Sequence, residues 1–306
     1  MNRSAQDRQV KTALDETRLL ILGAQILFGF HLNGAFQAGF SELSPFSRGL
    51  HAASFLTMAV AVALLITPSL QHQLIDGGRA TARILTATTG FAAAALLPIA
   101  LSLGADLYIV IGHRFGLGTG AAVGLAFALT AIVGWYGAEL LIRTPPPQNK
   151  QLDEPETPID VRVEHMLTEA RVMLPGAQAL LGFQLAVILT DAFAALPSAS
   201  KIVHVVALCC VSLTVILLMA PASFHRISFH GQNTESFYRL GSALVLAAAV
   251  PLAGGIVSDL YVAVTKALNS PGLGAAAAFL GFVALGAFWF VHPMLLRARR
   301  TRHARQ

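Results

Sequence analysis

Apolar runs of about twenty residues alternate with short polar segments along the whole chain. Eight runs, roughly 19–40, 50–69, 84–104, 118–141, 172–194, 202–221, 239–257 and 273–296, each predict a helix. At 1.5 Å per residue each is long enough to cross a hydrocarbon core of about 30 Å. Inside a bilayer every backbone amide needs a partner within the protein, so helices are the form such runs take. The expected fold class is an all-α membrane protein.

The pattern is written twice. Residues 16–111 align with 169–264 at a constant offset of 153, without a gap and with 27 identities in 96 pairs. Glu16-x-Arg18 returns as Glu169-x-Arg171, and the Gly23-to-Phe30 segment as Gly176-to-Phe183. His51, Pro68, His72, Pro98 and Asp106-Leu107-Tyr108 return as His204, Pro221, His225, Pro251 and Asp259-Leu260-Tyr261. Four spans per copy, an even number, send both copies into the membrane in the same direction. This predicts parallel repeats related by a pseudo-twofold along the membrane normal. The expected organisation is a first repeat at 1–143, a proline-rich linker at 144–160 and a second repeat at 161–306 with a basic tail.

Composition agrees with this reading. The chain is 55% hydrophobic and 12% charged, against about 25% charged in soluble chains. All but four of its 21 Lys and Arg fall on one side of the predicted spans; the exceptions are Arg48, Arg114, Lys201 and Lys266. The positive-inside rule then makes both termini and the linker cytoplasmic, in the bacterial inner (plasma) membrane. The basic residues lie between apolar runs rather than on one solvated face, which excludes nucleic acid as a partner. The two cysteines, Cys209 and Cys210, are adjacent and give no disulfide framework. No cleavage-site pattern follows the first run, so that run is expected to act as its own insertion signal.

The signature E-x-R-x(3)-[LP]-G-A-Q-x-L-x-G-F, followed by a second helix ending P-x(3)-H, resembles a bacterial four-helix integral membrane family of unknown function. The resemblance covers both halves and implies a tandem fusion of a unit normally encoded singly. It brings no activity, cofactor or catalytic residue to carry over.

Three sets of polar residues are candidates for chemistry. Gln25, Gly29, Asn33 and Gln37 recur every four residues on the first helix; only Gln25 keeps its glutamine in the second copy, as Gln178. An unpaired amide in hydrocarbon costs several kcal/mol, so the stripe faces protein, as helix–helix glue, or water, as a polar pathway. A cytoplasmic cluster joins Glu16, Arg18 and His72, mirrored by Glu169, Arg171 and His225. It reads as an interfacial salt bridge or as a titratable proton or anion site. An external cluster joins His51, Asp106 and Tyr108, mirrored by His204, Asp259 and Tyr261, either as belt chemistry or as a proton or cation site. The mirrored residues are expected to form two equivalent sites. Pro68 and Pro221 are expected to kink or end their helices, and Trp135, Tyr136 and Trp289 to anchor at the interface.

No nucleophile triad, metal-ligand spacing or phosphate loop is present, so no enzyme, metal or cofactor is expected. The partners expected are membrane lipid, anionic lipid at the Arg-rich tail, and a second copy of the chain. The leading functional reading is a structural or interaction bundle. The alternative is an ion or small-solute transporter or channel with its path between the repeats, lined by Gln25, Asn33 and Gln178.

Overall fold

The computed structural model describes residues 3–79, 81–141, 157–227, 229 and 232–303. Most of the linker at 144–160 lies outside them, as do the side chains of Arg299, Arg300, Arg302 and Arg305. Among the described residues all regular structure is helical. The first repeat holds α1 (Arg3–Gly34), a 3-10 turn (Ala38–Glu42), α2 (Pro45–Leu74), α3 (Ala82–Phe115) and α4 (Leu117–Leu141). The second holds α5 (Ile159–Ile188), the short α6 (Asp191–Ala194), α7 (Ser198–Ile227), α8 (Glu235–Leu268) and α9 (Pro271–Leu285). A π segment (Gly286–Val291) then continues from α9 into α10 (His292–His303).

The two copies use the same local devices at matching positions. Thr81 caps α3 by accepting from the Ile84 amide, and Thr234, 153 residues later, caps α8 by accepting from Phe237. The turn after α3 passes through Gly116 at φ +97°, and the turn after α8 through Asn269 at φ +50°, again 153 residues on. Small residues let α4 lie close on α3: a Cβ at Gly124 would meet the Gly104 carbonyl. The prolines do not break their helices, since α2 runs through Pro68 to Leu74 and α7 through Pro221 to Ile227.

Among the described residues seven helices are long and apolar enough to cross a membrane: Pro45–Leu74, Arg83–Phe115, Leu117–Tyr136, Ile159–Ile188, Ser198–His225, Glu235–Leu268 and Pro271–Ala298. The first expected span is not among them. Gln25, His31 and Asn33 dilute the apolar stretch of α1, although α1 is continuous from Arg3 to Gly34.

The seam between the repeats is built from α1 against α5 and from α2 against α8 and α9. Beyond the contact of α1 with its counterpart α5, its two sides are unequal. In α2, 61% of the most apolar window is buried, but in its counterpart α7 only 28%. α2 packs on α1 and α3 of its own repeat and also on α8 and α9 of the second, whereas α7 packs chiefly on α5 and α8 of its own repeat. Trp289, expected as an interface anchor, is fully buried instead and donates its indole N–H to the Ala63 carbonyl of α2 at 2.8 Å. Trp135 is exposed, and Tyr136 donates to the Ala93 carbonyl at 2.5 Å.

Candidate functional site

At the end of α2, His72 is fully buried, and its Nδ1 lies 2.5 Å from Oε1 of Glu169, also fully buried, on α5. The His72 Nε2 donates to the Arg79 carbonyl at 3.0 Å. A carbonyl only accepts, so the Nε2 proton is committed, and the Nδ1–Oε1 contact must hold a second proton. The pair is therefore a neutral proton-sharing unit spanning the two repeats.

The loop after α2 closes over this pair. Gly77 and Gly78 have φ of +57° and +72°. Their carbonyls accept from Arg162 Nε and His165 Nδ1 of α5, each at 3.1 Å. Arg162 also pairs with Glu235 at 3.0 Å and lies 4.1 Å from the centre of the Tyr238 ring. Tyr238 donates to Gln73 Oε1 at 3.2 Å. Asp76, also buried, accepts from Thr81 and Arg83 within its own repeat.

The expected cytoplasmic cluster is thus rearranged. His72 is paired with Glu169 of the other copy and not with Glu16 or Arg18. Glu16 is exposed, Arg18 half-buried and Arg171 exposed. The mirror pair does not form: His225 bonds to Asn233 at 3.0 Å and stacks on Phe237.

The external cluster is also rebuilt. Asp106 of α3 pairs with His31 of α1, the Nε2–Oδ1 distance being 3.1 Å. Ser54 of α2 lies 2.8 Å from the same Nε2 and 2.5 Å from the Ser102 hydroxyl. His31 Nδ1 donates to the Leu27 carbonyl at 2.7 Å. With Nδ1 committed to Leu27, a proton between Nε2 and Oδ1 makes His31–Asp106 a neutral pair, and without that proton Nε2 accepts from the Ser54 hydroxyl. His51 donates from Nε2 to the His31 carbonyl at 3.1 Å and orients α1 without touching the carboxylate. Tyr108 and Tyr261 do not join their acids, because residues two apart on a helix face different ways. Tyr108 instead meets Phe46 edge-on.

In the second copy His204 donates to the Gln184 carbonyl at 3.0 Å, the same bond 153 residues later. The centre beside it differs. His31, Ser54 and Ser102 are replaced by Gln184, Ala207 and Gly255. Gln184 donates to Asp259 Oδ2 at 2.7 Å, and His204 Nδ1 stands 3.8 Å from Oδ1. Asp259 is fully buried, whereas Asp106 keeps 31% of its side-chain surface exposed. The two sites are therefore not equivalent. Gly255 lets α7 and α8 close up, since a Cβ there would run into Val211.

Sequence reading did not find His31. The signal was in the alignment: position 31 and its counterpart 184 are both polar, as are positions 25 and 178, whereas Asn33 and Gln37 return as Ala186 and Thr190. The polar stripe does not assemble either. Gln25 is buried against Gly176, its amide without a bonding partner among the described residues; Asn33 is half-buried and Gln178 exposed.

Beside the His31–Asp106 pair a cavity of about 440 Å³ opens, with Phe30, Phe40, His51 and His113 among its lining. Two hollows lie at opposite ends of the seam, about 450 Å³ near Arg48 and Lys266 and about 470 Å³ near Arg79 and Arg162. No group of three or more His, Cys, Asp or Glu among the described residues is placed to hold a metal ion.

Two copies of one helical unit, with the same caps and the same His-to-carbonyl bond, are what a duplicated membrane domain leaves behind. A single family profile matches twice, over residues 2–139 and 153–293. The chain belongs to the family of unknown function DUF6328. It is a tandem duplication of the DUF6328 unit, and the asymmetry at His72 and Asp106 has arisen between its two DUF6328 copies. No curated protein and no solved structure matches the chain.

Proposed function

We propose that this DUF6328 protein is a non-enzymatic structural or interaction bundle of the bacterial inner membrane. In this reading α1 is the eighth span, the repeats run parallel, and both termini are cytoplasmic. The observation that carries the reading is the filled seam. Gln25 sits against Gly176, and the Phe183 ring occupies the space beside Gly29, between the two end hollows. Repeats locked by buried polar bonds and by Trp289 suit a protein that holds a shape and presents it to a second copy or another membrane protein. The basic tail would rest on anionic lipid.

The test is ion and proton flux through purified protein in liposomes under imposed pH and potassium gradients. The bundle reading expects no flux above empty liposomes. Flux abolished by Asp106→Asn would replace it with the transport reading, which one observation favours: a carboxylate–imidazole pair at a cavity within a spanning segment. That path would run through the first repeat and not along the seam.

A further inference from the structure

The cavity of the first repeat has the build of a ligand site. Its volume of about 440 Å³ lies in the range, roughly 300–1,000 Å³, of small-molecule pockets. Its walls are largely apolar, with Leu27, Phe40, Leu43 and Ile109 inside and Phe30 and Val110 as an exposed rim. Its polar end is Asp106. Among the described residues, the contacts of this carboxylate with His31 and Ser54 both fall on Oδ1. The part-exposed carboxylate is available to a guest through Oδ2.

We propose that this cavity binds a small amphipathic organic cation, an ammonium carrying an apolar body, in exchange for the proton shared by His31 and Asp106. The inference goes beyond the bundle reading and holds whether or not the guest is carried across the membrane. With the proton in place the pair is neutral overall and the imidazolium opposes a second cation. When the ammonium sits on the carboxylate, that proton leaves to solvent, and His31 remains neutral. Nδ1 still donates to the Leu27 carbonyl, while Nε2 accepts from Ser54. One positive charge enters and one leaves, so the site stays neutral in a medium where an uncompensated charge is costly.

Other titratable groups face the same space. His51 of α2 has its ring 5.5 Å from that of His31, and its Nε2 is committed to the His31 carbonyl. His113 of α3 lines the far wall, with Glu42 of the 3-10 turn 3.8 Å away. Among the lining residues Asp106 is the carboxylate, and it fixes the sign of the guest. The second repeat supplies the contrast. There the acid is sealed by Gln184 and the close α7–α8 contact, with its side chain fully buried.

The test is calorimetric titration of the full chain in nanodiscs with benzyltriethylammonium, corrected for empty nanodiscs, in two buffers of different ionisation enthalpy. Saturable binding is expected, with up to one proton released and affinity rising by as much as about tenfold per pH unit while the pair is protonated. Asp106→Asn should abolish binding. His31→Gln, which copies the second repeat, should bind without proton release. Val110→Trp fills the rim while leaving both members of the pair in place, and should weaken binding at least about tenfold, which decides the matter if Asp106→Asn does not fold. The proposal is overturned by any of three results: no binding to wild type, binding without proton release, or wild-type binding by Val110→Trp or by a folded Asp106→Asn.

Discussion

Glu169 has no exposed surface, and one imidazole from the other repeat holds it there. Removing one partner of a buried hydrogen-bonded pair costs about 1–3 kcal/mol, because the other is left unsatisfied. Glu169→Ala should therefore lower stability by that order in detergent unfolding, while Glu16→Ala, its exposed mirror, should stay within about 0.5 kcal/mol. Equal effects would sink the assigned asymmetry. Both residues stood out in the sequence, since each recurs at the repeat offset. Their pairing did not, because it depends on how the repeats dock. At the other end, Asp106 was legible and its partner was not. His31 falls between the four-residue steps of the Gln25–Gly29–Asn33–Gln37 stripe, and only comparison of position 31 with position 184 shows it to be polar in both copies.

Among the elements, the loop after α2 is the most constrained. Gly78 combines φ of +72° with the Tyr238 ring where a Cβ would stand. Gly78→Ala should cost about 1–3 kcal/mol from the strained backbone alone. Gly49→Ala, inside α2 with open space around it, should be neutral or stabilising in the same unfolding assay. A comparable loss at both sites would mean that the loop is not under the constraint described.

The helices themselves were legible because length and hydropathy suffice for a span. α1 was legible only in part: the polar side chains that make its site also weaken its membrane signal. If α1 crosses, then in a background with Cys209→Ser and Cys210→Ser, Glu42→Cys should react with an impermeant maleimide in intact cells. Gln232→Cys should react only after permeabilisation. Protection of residue 42 would remove α1 from the spanning set.

For the whole molecule, duplication fixed the order and kind of elements, which is why the repeats could be read at a constant offset. It did not fix the relation between them, since mirrored sequences can be docked asymmetrically and then diverge. The inequality has a measurable side at Asp259. Its Oδ1 has no bonding partner among the described residues, so the isosteric Asp259→Asn should keep or raise stability. A loss above about 2 kcal/mol would show that a charge is needed there.

The packing of α2 on α8 and α9 has a further consequence. A contact in which one unit's second helix enters another unit's later helices joins two different surfaces, and it leaves an open donor face on one unit and an open acceptor face on the other. Identical units meeting this way close into a ring or grow without end. Writing two of them into one polypeptide assigns donor and acceptor once and covalently. The fusion therefore acts as a ruler: it sets a minimum assembly of two, in a fixed order, before any second chain is met.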